Sequence, residues 1–98
     1  MVGNVIIMIR NNLSQILGEE LRFLAIKTRE RLNLTQKEMS ERLQMSESSY
    51  SDIETGKSNC GALTTVLLLT IQENPNGFLA DVIEEFQKFY DEKRASIC

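Results

Sequence analysis

Residues 45–57 read MSESSYSDIETGK, and Glu47, Ser48, Ser51 and Asp52 fall at i, i+1, i+4 and i+5. On a helix this spacing gathers two carboxylates and two hydroxyls into one stripe, extended by Thr55, with Tyr50 and Ile53 on the other side. The stripe is rich in hydrogen-bond acceptors and meets no cation before Lys57. Its natural counterparts are amino groups: the N4 amino group of cytosine, to which a carboxylate is an acceptor, or the basic side chains of a protein.

Other chemistry is less well supplied. The chain has no His, the side chain that most often performs general acid–base catalysis and most often ligates metals. Cys60 and Cys98 stand 38 positions apart with no CxxC spacing, so neither a zinc site nor a disulfide framework is suggested, and a reducing cytoplasm fits. The expectation is a non-enzymatic protein with no catalytic residues, no metal and no cofactor. With 11 Lys and Arg against 14 Asp and Glu, the formal charge of −3 argues against a non-specific coater of polyanions. The longest apolar runs, Val5 to Ile9 and Val66 to Ile71, are far shorter than the roughly 20 residues that span a bilayer, so no membrane partner is expected. The start, MVGNVIIMIRNN, lacks the cation and cleavage site of a signal peptide.

The elements that must hold the stripe are helical, and 98 residues suit one compact domain. From Ser14, the positions Ile16, Leu17, Leu21, Leu24, Ala25 and Thr28 follow helical spacing, with a stop near Asn33, which tolerates the left-handed conformation. TQKE at 35–38 is a capping box that starts a second helix over about 35–43, burying Met39 and Leu43. Ser46 is an N-cap and Gly56 a left-handed terminator for a third helix over about 47–54. The run ALTTVLLLTIQ is apolar nearly all round, which predicts a fourth helix more buried than the others. Pro75, within ENPNG, separates it from a C-terminal helix over about 77–94 that carries Phe78, Leu79, Val82, Ile83, Phe86, Phe89 and Tyr90 on one face. Residues 1–13 combine strand-like composition with no partner strand, and are expected to be a flexible N-terminal segment or an arm on a partner subunit. Residues 14–94 then form a single all-α domain.

Two short helices joined through QMS at 44–46, the second closed by glycine, make a helix-turn-helix pattern. The longer stretch LTQKEMSERLQMSESSYSDIETGKS, 34–58, resembles the helix-turn-helix of the lambdoid phage repressor and Cro-like (XRE-type) family, and the likeness covers roughly residues 18–73. It lies in the joint spacing of an aliphatic-Thr-Gln start, an apolar turn and an Ile-Glu-x-Gly-Lys end. The resemblance implies an all-α, five-helix lambda-repressor-like DNA-binding fold. It also implies a sequence-specific regulator of transcription, a repressor acting as a homodimer on double-stranded DNA.

It further implies roles for single residues. Gln36 matches the family glutamine that contacts a phosphate at the start of the second helix, and Arg29 and Glu54 match a charged pair joining the first helix to the third. The stripe Glu47, Ser48, Ser51 and Asp52 then reads bases. Phosphate contacts supply most of the affinity in such complexes and can lie off the recognition helix, so Lys37, Lys57, Ser58 and Asn59 are the remaining anchors, with Lys27 and Arg31 as further candidates. The aromatic residues Phe78, Phe86, Phe89 and Tyr90 are candidate dimer contacts. Three positions depart from the pattern: Gln44 replaces the usual turn glycine, Ser40 a small alanine, and SNCG at 58–61 lacks additional cations. A second reading keeps the scaffold but turns the acidic face or the C-terminal helix toward a regulatory protein partner, as in an anti-repressor, antitoxin or adaptor.

Overall fold

The structure is a computed structural model that describes residues 2–97, with side chains from residue 5 to residue 93. It contains α1 (Val2–Arg31), α2 (Gln36–Arg42), α3 (Glu47–Thr55), α4 (Ala62–Thr70) and α5 (Pro75–Ile97), and no strand among the described residues. The chain is all-α.

Local chemistry explains the short elements. Thr35 caps α2: its hydroxyl accepts from the Glu38 amide at 3.1 Å, and the Glu38 carboxylate accepts from the Thr35 amide at 2.9 Å. The hydrogen bond from the Thr35 amide, and secondarily the Thr35 hydroxyl, hold the Glu38 carboxyl below the ordinary glutamate range. Past Leu43 the backbone turns left-handed at Gln44 (φ 58), and the amides of Gln44 and Met45 return to the carbonyls of Glu41 and Ser40 at 3.2 and 3.0 Å. This double closure is a Schellman motif, and it satisfies carbonyls that the helix end leaves bare. Asn33 (φ 55) ends α1 in the same way, with Asn33 and Leu34 returning to Glu30 and Arg29. Ser46 caps α3 through the Ser49 amide, and Gly56 closes it at φ 84, where a side chain would be strained.

The chain forms two compact units, and the division falls inside α1, between Leu17 and Gly18. In the unit from Gly18 to Glu73, Leu21, Ala25 and Thr28 line one face of α1 and are buried with Met39, Ser40, Leu43, Tyr50, Ile53 and Leu68. The buried polar groups are satisfied. Thr28 Oγ1 donates to the Leu24 carbonyl at 2.6 Å and accepts from Gln72 Nε2 at 2.9 Å, while Ser40 Oγ donates to the Lys37 carbonyl at 2.7 Å.

α4 corrects the sequence reading. Only Leu68 of this helix is fully buried, whereas Leu63 and Val66 are 69% and 58% exposed. Leu63, Val66, Leu67 and Thr70 fall at helical spacing and form an outer stripe that is apolar except at its end. Met45, just before the Ser46 cap, is half-buried.

The other unit joins the first half of α1 to α5. Residues 2–13, expected to be flexible, are the opening turns of α1. The physical reason is a helical stripe of Ile6, Ile9, Leu13 and Leu17, which lines a groove of about 460 Å³ together with Phe86 and Tyr90 of α5. The cover is partial, since Val5, Ile6, Ile7 and Met8 remain exposed. α5 starts at Pro75, a favoured first helical residue, behind Asn74, whose Oδ1 accepts from the Gly77 amide at 3.0 Å.

Candidate nucleic-acid interface

α3 carries the acceptor stripe. Tyr50 and Ile53 anchor its inner side and are buried, which turns Glu47, Ser48 and Thr55 out to solvent and leaves Ser51 and Asp52 half-buried. Ser48 sits close to the cap, its hydroxyl 3.3 Å from that of Ser46. Among the described residues, neither Glu47 nor Asp52 forms an ion pair. Both carboxylates are therefore available to an outside amino group.

The end of α3 is fixed by a charged cluster. Arg29 Nε donates to Glu54 Oε2 at 2.6 Å and Arg29 Nη2 to Glu54 Oε1 at 3.2 Å, a two-pronged contact. Arg29 Nη1 also donates to the Leu34 carbonyl at 3.2 Å. The side chains of Arg29 and Glu54 are 23% and 8% exposed. Burial alone would push the Glu54 carboxyl up, but hydrogen bonds from Arg29, then Tyr50 and Gln36, outweigh it and hold the group below the ordinary range. The same bond raises Arg29. Burial, with Glu54 beside it, pushes the Tyr50 phenol well up, and its hydroxyl reaches the Ala25 carbonyl at 3.4 Å.

The candidate phosphate anchors are placed unevenly. Lys37 and Lys57 are exposed and, among the described residues, outside any ion pair. Ser58 is exposed, and its amide donates to the Asp52 carbonyl at 3.1 Å, folding the loop back on α3. Gln36 is half-buried and donates from Nε2 to Glu54 Oε1 at 3.0 Å. Asn59 lies against α1: its Oδ1 would sit 2.6 Å from a Cβ at Gly18, so a side chain there would push the Asn59 amide aside. Arg31 is engaged by Glu73 at 3.5 Å and by the Ile71 carbonyl at 3.4 Å.

Residues 26–61 match a family model described as helix-turn-helix. The match covers about a third of the chain, and over that stretch the sequence is similar to helix-turn-helices of the Cro/C1 (XRE) type. Comparisons with curated proteins and with solved structures find no match. The helix-turn-helix begins within α1 and ends in the loop before α4, so it holds Arg29, Gln36, Glu54 and the whole α3 stripe, together with Lys37, Lys57, Ser58 and Asn59. The family is one of DNA-binding transcription regulators.

Sequence reasoning missed two features of the helix-turn-helix unit. Gly18 was a usable signal, since glycine inside a helix is disfavoured unless another group approaches closely. The Gln36–Glu54 bond had none, because two polar residues 18 positions apart advertise nothing in a pattern. The aromatic residues proposed as dimer contacts lie in the other unit. There Phe78, Phe86 and Phe89 are half-buried and Tyr90 is exposed, with the Phe89 and Tyr90 rings edge to face at 6.2 Å. No group of His, Cys, Asp and Glu among the described residues could hold a metal ion, and no helix among them is long and apolar enough to cross a membrane.

Proposed function

We propose that this protein is a sequence-specific regulator of transcription that binds double-stranded DNA, acting in the cytoplasm as a homodimeric repressor. The observation that carries the reading is the α3 face itself: an acceptor stripe on the outer side of the helix, backed by buried Tyr50 and Ile53 and clamped at its end by Arg29 and Glu54, within a helix-turn-helix. Set into the major groove, Glu47 and Asp52 would accept from cytosine N4, and Ser48 and Ser51 would adapt to neighbouring base edges. Lys37, Lys57 and Ser58 would hold the phosphates on either side, with Gln36 contributing a donor.

A dimer is supported by the apolar residues left uncovered, Leu63 and Val66 on α4 and Leu79, Ile83 and Tyr90 on α5. Two-fold pairing would present two recognition helices about 34 Å apart, one helical turn of DNA. The deciding experiment is selection of bound duplexes from a random pool across a salt series. It should return a palindromic motif with half-sites spaced by about one turn. Recovery of no motif even at low salt refutes the proposal. The absence of any cation on α3 favours one rival, a basic protein partner on the same face, which would then be sought by competition with Glu47→Gln.

A further inference from the structure

We infer that Glu54 is a positioning residue for Gln36, orienting its carboxamide for contact with DNA; this rests on the DNA-binding reading and adds to the pairing of Glu54 with Arg29. The carboxylate is held from two sides. Oε2 accepts from Arg29 Nε at 2.6 Å, while Oε1 accepts from both Arg29 Nη2 at 3.2 Å and Gln36 Nε2 at 3.0 Å. It is a fixed acceptor and not a swinging side chain. Gln36 is the first residue of α2 and Glu54 the last but one of α3, so the bond ties the start of one helix to the end of the other. Its inner end is almost fully covered and its outer end half-buried.

A carboxamide nitrogen carries two protons, and the bond to Glu54 commits one of them and the orientation of the amide plane. The second proton stays available to an outside acceptor. An untethered glutamine would rotate about its side-chain bonds and offer a phosphate its carbonyl oxygen, which repels, as readily as its donor. Fixing the donor in advance lowers the ordering cost at binding. The arrangement also sets a condition on residue 54: the group must accept from Arg29 and Gln36 together, and an ionised carboxylate offers only acceptors. A glutamine there would turn its own NH2 toward one of the two donors.

The test is a double-mutant cycle on the full chain, reading affinity for a selected duplex. Glu54→Gln should weaken binding about tenfold more beside Gln36 than in a Gln36→Ala background, where only the loss of the Arg29 pair remains. Arg29→Gln, which removes the ion pair but leaves the Gln36 acceptor, should lose a similar factor in both backgrounds. Amide spectra of the free protein supply a readout that needs no DNA and no variant. Through an acid titration, the Gln36 Nε2 proton pair should move in step with the Glu54 carboxyl carbon, and this decides the matter if Glu54→Gln fails to fold. A Gln36 pair indifferent to that titration overturns the inference. Equal losses in both backgrounds for Glu54→Gln also overturn it, while leaving DNA binding in place. A wild-type chain that binds no duplex overturns the DNA-binding reading and the positioning role with it.

Discussion

Replacing Arg29 with Met keeps most of the alkyl stem and removes the charge, which isolates the electrostatic part of the clamp. The structure sets the size of the effect. Three hydrogen bonds disappear, two to Glu54 at 2.6 and 3.2 Å and one to the Leu34 carbonyl at 3.2 Å, and a carboxylate with 8% exposure loses its cation. Breaking one side of a buried pair typically costs about 3–5 kcal/mol. Arg29 is 23% exposed and Gln36 still donates to Glu54, so a loss of about 2–3 kcal/mol is expected here, equivalent to a fall in Tm of about 10–20 °C.

The pH dependence gives the sharper test. Burial raises the wild-type Glu54 carboxyl, but the hydrogen bonds, led by Arg29, bring it below the ordinary value of about 4.3. Its stabilising contribution is therefore present above the unfolded value and is lost as pH falls through the lower folded value. In Arg29→Met, burial is left dominant and the carboxyl should titrate above the ordinary value, so acid relieves the variant. Urea unfolding followed by far-ultraviolet circular dichroism should show the gap between the two proteins narrowing from pH 7 to pH 4. A gap below about 0.5 kcal/mol, or one of equal size at both pH values, would refute the reasoning.

Other outcomes follow from single contacts. Gln44→Gly should raise stability by about 0.5–1 kcal/mol in the same urea assay, because glycine removes left-handed strain at φ 58 while adding chain entropy to the unfolded state. Thr35→Ala should cost about 1 kcal/mol, since the Glu38 amide loses its acceptor at 3.1 Å. In duplex binding, Lys57→Ala should weaken all sequences alike and reduce the slope of log K against log salt by about 0.9. Glu47→Ala should instead change the base preferred at one position of each half-site, by about 1–3 kcal/mol, leaving the salt slope unchanged or slightly steeper.

The parts that were legible in the sequence are those set within a few residues. The TQKE box, the Ser46 cap and the left-handed closures at Asn33 and Gly56 are short-range chemistry, and each appears in the structure where its residues stand. Tyr50 and Ile53 could be assigned to the core because charged neighbours mark the other face of α3. α4 offered no such contrast: with no charge between Lys57 and Glu73, nothing in the pattern separates its inner face from its outer one. The opening turns of α1 failed for a different reason. Val5, Ile6, Ile7 and Ile9 favour a strand by composition, and the residues that line the groove with them, Phe86 and Tyr90, lie some 80 positions away.

The charge distribution bears on how such a protein would separate right from wrong sites. On the proposed reading, α3 brings no cation to the duplex, and its two uncommitted acids repel phosphates wherever no amino group meets them. Non-specific affinity then rests on the few exposed lysines outside the helix, in a chain of net charge −3. A site that offers an amino group at the two acidic positions, cytosine N4 or adenine N6, gains hydrogen bonds, while a site with neither leaves a carboxylate desolvated without a donor. The acids therefore act more strongly against wrong sequences than in favour of the right one. Discrimination per base pair should be large relative to the total affinity, the reverse of a protein whose recognition helix is itself basic.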